Sequence, residues 1–319
     1  ATAWTYLATG TLARLMRLRK GPVIAALYPV GMLVLQAVAA VFAGVLVALL
    51  VTWAMGALAH TVGLGAGLAG KQWIAAVLLG ALAALAVLKH FRNVDNRLYV
   101  YYLMHDYAYS AATRGAYPPE LEARIKGFAL RIADALEEDL DEVLVVGQSS
   151  GAHLAVSVLA DLHRQGRIPE GGPRLALLTL GQVMPMVSFL PDAHRLRGDL
   201  AYLATADIPW VDVTAPGDGC AFALCDPVAV SGVAPAGKRW PLVISAAFTQ
   251  TLSPERWKKL RWRFFRLHFQ YLCAFDRPGD YDYFRITAGP LSLETRYRDR
   301  APSASRIETP VSKYTGTRP

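Results

Sequence analysis

The sequence predicts an α/β domain, a mostly parallel sheet with helices on both faces, preceded by two transmembrane helices. Three observations predict it. First, 54% of the 319 residues are hydrophobic, yet they are unevenly spread: Asp, Glu, Lys and Arg are absent from Gly21 to Gly70 and again from Gln72 to Leu88. Second, after about residue 97, short β-branched or aromatic runs alternate with helical ones. Runs apolar on both faces suit the strands of a parallel sheet covered on both sides. Third, Gly147-Gln148-Ser149-Ser150-Gly151 interrupts a β-branched run and leads at once into an amphipathic one, the pattern of a sharp strand-to-helix turn.

Residues 1–20 form a basic N-terminal segment carrying Arg14, Arg17, Arg19 and Lys20. Residues 21–89 are expected to form a transmembrane hairpin, because about 20 apolar residues in a helix cross ~30 Å of hydrocarbon. The first run exceeds that length. The second is near the short end and can borrow from Thr61 to Gly70, whose glycines otherwise suit a turn between spans. The Ala-rich stretch from Gln36 to Ala40 resembles a signal cleavage site, but signal cores run only ~7–15 residues, so the segment reads as an anchor.

Lys89, Arg92 and Arg97 follow the second run, and Lys71 alone lies between the two. Both outer ends are therefore basic, which places both termini in the cytoplasm. A third span, broken at Pro29-Val30-Gly31, would reverse the side of the following domain. The expected location is an inner membrane of bacterial type, with the α/β domain cytoplasmic. Eight of the 33 Lys and Arg lie in residues 1–97, against Asp95 alone among 25 acidic residues. The net charge of +8 is thus mostly a juxtamembrane signal and calls for no nucleic-acid partner. Cys220, Cys225 and Cys273 show no metal-ligand spacing with nearby histidines and fit a reducing compartment. No metal or cofactor is predicted.

The α/β domain spans residues 97–296, a usual size for one domain. Arg97 to His105 reads as a strand. Pro118-Pro119 opens a helix from Glu120 to about Leu140, with Leu121, Ile125, Phe128, Ile132 and Leu136 on one face. Val143 to Val146 is a strand, followed by a helix from Ser150 to about Gln165. Arg174 to Gln182, Trp210 to Ala215 and Pro241 to Phe248 are further strands, with a helical piece from Ala193 to Ala204. From Arg256 a helix is expected, with Arg256, Lys259, Arg263 and Arg266 on one stripe and Trp257, Leu260, Phe264, Leu267 and Tyr271 on a neighbouring face. That basic stripe would rest against anionic headgroups. Residues 183–207 are open to reading as a lid, and residues 297–319 as a polar, loose tail.

A serine at such a turn is a candidate nucleophile, but its hydroxyl needs a histidine to take its proton and an acid to orient that histidine. If these follow the serine in the order acid then histidine, one strand ends in a suitable loop: Trp210 to Phe222. Asp218, between Gly217 and Gly219, is the preferred acid. Asp226 is the reserve, and Asp212 lies within the strand. One histidine remains beyond Asp218, namely His268. Each residue also has a plain reading, Asp218 as a turn residue and His268 as a packed core histidine. His153, one turn after Ser149, is expected to line a cleft or pack. A tetrahedral oxyanion needs two donors. The Ser150 amide at a helix N-terminus is one, and the other is expected within Met104 to Tyr107.

The segments "GQSSGAHLAVSVLADL" and "LLTLGQVMP" resemble the core of the α/β-hydrolase superfamily, and specifically the fungal-type (class 3) lipases, over about residues 97–275. Gly147, Ser149 and Gly151 match that family's elbow, and Gly181-Gln182 matches a strand end. Gln148 stands for the usual histidine and Ala152 for a second glycine. The resemblance implies an α/β-hydrolase-like sheet and serine esterase chemistry with Ser149, His268 and Asp218. The substrate would be a membrane lipid or an acylated protein or thioester, met at the bilayer surface. An acyltransferase using the same residues is the alternative. A further one is a non-catalytic subunit that meets a membrane-protein partner through its Ala- and Gly-rich spans.

Overall fold

The computed structural model describes residues 2–62 and 72–318, so most of the expected turn at 61–70, together with Lys71, lies outside the described residues. The chain divides into two units: Ala26–Asp106, and Ala1–Ala25 together with Tyr107–Pro319.

The first of these contains most of one helix, Lys20–Val62, and all of a second, Gln72–Asn93. Both are long and apolar enough to cross a membrane. Their apolar side chains are largely exposed, among them Val38, Phe42, Val45 and Leu49 on one and Leu78, Leu82 and Leu85 on the other. A core helix would bury such a surface. Where the two helices meet, a Cβ at Gly80 would lie 2.6 Å from the Gly44 carbonyl oxygen, and one at Gly44 would lie 2.9 Å from that of Gly80. Small residues are what allow backbones this close.

The run expected as a strand from Arg97 to His105 is helical instead, in Asp95–Leu98 and Val100–Ala112. Asp95 explains the difference. Its carboxylate accepts from the amides of Val100 at 2.7 Å and Tyr101 at 3.0 Å, satisfying donors that a helix start leaves open. Met104 to Tyr107 therefore sit inside a helix and offer no loop amide to an oxyanion.

The other unit holds a four-stranded, wholly parallel sheet in sequence order: β1 Glu142–Gln148, β2 Arg174–Leu180, β3 Trp210–Thr214 and β4 Leu242–Ser245. Each crossover steps the same way along the sheet, and right-handed connections place all their helices on one face. Helix Gly151–Arg164 packs there between Pro119–Leu136 and His194–Leu203. The opposite face carries Ala176, Leu178, Leu180, Val211, Val213, Leu242 and Ile244, and is covered by C-terminal residues including Leu267, Tyr271, Phe275, Tyr281 and Tyr297.

One open question about this unit is narrowed and two expectations change. Residues 183–207, left open to reading as a lid, are not a free-standing flap: Met184, Phe189, Leu190, Leu196 and Leu200 are wholly buried, and the buried Arg197 guanidinium donates to the carbonyls of Ser188, Leu190, Pro191 and Gly316. The polar tail is not loose either. Ile307 exchanges backbone bonds with Leu224 and Asp226, Val230 accepts from Val311 and Ser312, and Gly316 accepts from Arg197. Backbone groups hold it, which a polar composition does not reveal. Finally, the N-terminal segment is more than a basic flank. It forms helices Thr2–Ala8 and Thr11–Leu18, and Leu15 is wholly buried, while Arg14 and Arg19 donate to the carbonyls of Val311 and Ala223.

One polar group sits deep in this core. Asp212 in β3 is fully buried, and one carboxylate oxygen accepts from Thr179 Oγ1 at 2.6 Å while the other has no partner among the described residues. Burial pushes its carboxyl from 3.8 to about 8, opposed by the Thr179 hydrogen bond and assisted by Asp226. A raised folded pKa contributes stability that is complete below pH ~4 and is lost as pH rises towards 8. Asp212→Asn is expected to remove that loss: the variant's urea midpoint should exceed the wild type's at pH 8.5, with the difference shrinking towards pH 4. Equal pH slopes for the two proteins would refute the assignment.

Candidate active site

Gln148, the last residue of β1, is followed by Ser149 with φ +57°, a left-handed conformation unusual for a residue with a side chain. Two backbone bonds hold it there. The Ser149 amide donates to the Leu180 carbonyl at 2.9 Å, and the Ser149 carbonyl accepts from Ala152 at 3.2 Å. Holding such a residue costs about 1–3 kcal/mol, the kind of strain that collects at functional sites. The Ser149 hydroxyl is half-buried and hydrogen-bonds to no group among the described residues.

The two glycines flanking this turn differ in role. A Cβ at Gly147 would lie 2.8 Å from Ala152 Cα and 3.0 Å from Ala155 Cβ, both parts of the following helix. A Cβ at Gly151 would meet nothing within 4 Å. Gly147→Ala should therefore destabilise by about 1–3 kcal/mol, the usual cost of overpacking. Gly151→Ala should stay within about 0.5 kcal/mol of the wild type. Urea titration of both variants checks this, and equal losses would contradict it.

The loop after β3 carries Asp218, which is 2% exposed. Its Oδ1 accepts from the Cys220 amide at 2.9 Å. Its Oδ2 accepts from His268 Nδ1 at 2.8 Å and from the Tyr271 hydroxyl at 3.0 Å. Tyr271 is itself fixed, since its hydroxyl accepts from the Ala215 amide at 2.9 Å. A buried carboxylate is tolerated when it is paired and hydrogen-bonded in this way.

His268, 4% exposed, ends the short helix Phe264–His268. The continuous helix expected from Arg256 is broken, into Pro254–Leu260, Phe264–His268 and a 3₁₀ turn at Gln270–Leu272. Aromatic rings seat against the glycines of the acid loop and account for the break. A Cβ at Gly217 would lie 2.7 Å from the Trp257 ring, and one at Gly219 would lie 3.3 Å from Phe264. The single cationic stripe dissolves accordingly, and Phe264 becomes half exposed.

The imidazole is thereby brought over the end of β2. A Cβ at Gly181 would lie 3.1 Å from His268 Cε1 and 2.7 Å from the Tyr271 ring. The amide of Ser149 bonds to Leu180, the residue before that glycine. The Gln148 side chain donates to the His268 carbonyl at 3.3 Å, tying the turn to the histidine segment. Gln182 has a separate task, donating to the Cys225 carbonyl and accepting from the Met184 amide.

The structure thus joins Asp218 to His268 and brings His268 over Gly181 and against Gln148, the residues next to Leu180 and Ser149, which share a backbone hydrogen bond. It does not bring the reserve acid there. Asp226 caps helix Pro227–Val230 through the amides of Val228 and Ala229, and pairs with Lys238 at 2.6 Å. His153 is buried beside Tyr117, and burial lowers its imidazole to about 4. It packs. Sequence reasoning missed Tyr271, Gln148 and Cys220 as neighbours of the pair. The apolar face on which Tyr271 was placed held no sign that its hydroxyl would be used. No family model, curated protein or solved structure matches the chain.

Proposed function

We propose that the chain is a membrane-anchored serine hydrolase acting on acyl esters or thioesters at a membrane surface. The observation that carries this reading is the buried Asp218–His268 hydrogen bond, set beside a left-handed Ser149 at the neighbouring strand end. The order supports it too: serine after β1, acid after β3 and histidine after β4 is the chain order the α/β-hydrolase resemblance implies.

In this mechanism Asp218 fixes the His268 tautomer with the proton on Nδ1, leaving Nε2 to take the Ser149 proton as Oγ attacks the acyl carbon. The imidazolium then returns that proton to the departing alcohol or thiol. Water repeats the sequence on the acyl-enzyme and frees the acid. The Ser150 amide opens the 14-residue helix Gly151–Arg164. It is the proposed donor to the oxyanion, aided by the helix dipole.

The anchoring also has support. Residues 1–25 and 107–319 fold into one unit, so the chain between them must cross any bilayer an even number of times. Two apolar helices satisfy that count. The basic residues flanking them favour the cytoplasmic side for the folded unit.

The test is labelling of the full chain, purified in detergent, with a fluorophosphonate. Ser149 should carry the adduct, located by peptide mass spectrometry, and Ser149→Ala should carry none. Equal labelling of the alanine variant would remove Ser149 as the nucleophile.

A further inference from the structure

One side chain at this site has no part in the proposed chemistry. Cys220 follows Asp218 by two residues, is 8% exposed, and is a free thiol. Its Sγ, a carboxylate oxygen of Asp218 and an imidazole nitrogen of His268 all lie within 4.8 Å of one another. We infer that Cys220, His268 and Asp218 form an inhibitory binding site for a thiophilic divalent cation, with zinc as the fitting ion.

The donor set selects the metal. A sulfur, an imidazole nitrogen and one carboxylate oxygen suit zinc, whereas magnesium and calcium require more oxygen ligands than this site offers. The geometry is close. Zinc bonds of about 2.0–2.3 Å set neighbouring donors about 3.3–3.8 Å apart, so the 2.8 Å contact between Asp218 Oδ2 and His268 Nδ1 must open by about 0.5 Å, while any wider pair in the trio draws in by at most about 1 Å. Three protein donors leave a fourth position for water, as in zinc sites that are not closed structurally. Burial keeps water from competing for the other three.

Cys220 is a free thiol, and its proton must leave for the sulfur to bind the cation as thiolate. On binding, that proton leaves to solvent and a zinc–thiolate bond forms. If the metal binds His268 Nδ1, the proton there shifts to Nε2, which can then no longer accept one from serine, and if it binds Nε2 that lone pair is itself consumed; in both cases Asp218 is drawn from its task of orienting His268. Cys225 and Cys273 have no such company: among the described residues, this trio is the one group of three or more metal-donor side chains that converges.

The inhibitory consequence rests on the hydrolase reading, but the site itself does not. The experiment therefore reads both. Full-length protein in detergent is titrated with zinc against a chromophoric chelator, and its fluorophosphonate labelling rate is followed in parallel. One zinc per chain should bind, with affinity falling on the order of 100-fold in Cys220→Ser and unchanged in Cys273→Ser. Millimolar magnesium or calcium should not displace it. Cobalt should give a thiolate-to-metal charge-transfer band in the wild type that Cys220→Ser lacks, and thermal melts would establish that the variant is folded. Zinc should slow labelling in the wild type and not in Cys220→Ser. An absent zinc stoichiometry, or equal affinity in folded Cys220→Ser, overturns the site. Zinc bound through Cys220 in a protein that no fluorophosphonate labels supports the site and overturns the hydrolase reading alone.

Discussion

Replacing His268 with alanine is expected to lower turnover of an activated ester at least about 10³-fold with little change in KM, because the lost interaction acts in the transition state. The double variant Ser149→Ala/His268→Ala should be no slower than the worse of its parents, since groups that act as one unit are not additive. Stability must be read alongside. Removing the ring opens space over Gly181 and leaves Asp218 with Tyr271 and the Cys220 amide as its remaining donors. A thermal melt therefore accompanies each assay. A folded His268→Ala variant within tenfold of wild-type turnover would end the case for this histidine as the base.

Asp218→Asn is the second large effect, expected to be about 10³- to 10⁴-fold in turnover. The donors around this side chain supply the reason. His268 Nδ1 and the Tyr271 hydroxyl converge on Oδ2, and the Cys220 amide points at Oδ1. An asparagine has an acceptor at one of these positions and an NH₂ group at the other. With NH₂ towards Cys220, two donors face each other in a buried site. With NH₂ towards His268, the ring must accept at Nδ1 and carry its proton on Nε2, the wrong nitrogen for receiving one from serine. Either outcome disables proton transfer while keeping the shape, so binding of a non-hydrolysable substrate analogue should be nearly unaffected. Near-normal turnover in Asp218→Asn would show that the imidazole needs no such partner.

Much of this arrangement was legible in the chain. The two uncharged runs are long enough to identify themselves, and the four strands stand out because each is apolar on both faces between turn residues. Chain order left His268 as the one candidate base, and a loop position between two glycines favoured Asp218 as the acid; the fold places the two in hydrogen-bond contact. What escaped notice has specific causes. Arg97 to His105 has the β-branched and aromatic content of a strand, but a single upstream side chain, Asp95, caps it as a helix. The segment from Arg256 keeps a helical period through its break, because the packing of Trp257 and Phe264 on Gly217 and Gly219 joins positions about 40 residues apart. The tail's contacts run through its backbone. Tyr271 looks like any core aromatic until the acid it serves is in place.

The lateral order of the strands sets the relative firmness of the pieces. β1 lies at the border of the sheet, with a ladder on its β2 side alone. Peptide groups along its free margin exchange with solvent through smaller openings than those of β2 or β3, which are clasped from both sides. The proposed nucleophile thus follows a border strand, while the acid follows β3, which has a neighbour on each side. Hydrogen exchange should accordingly reach the outer margin of β1 before the strand that leads to Asp218.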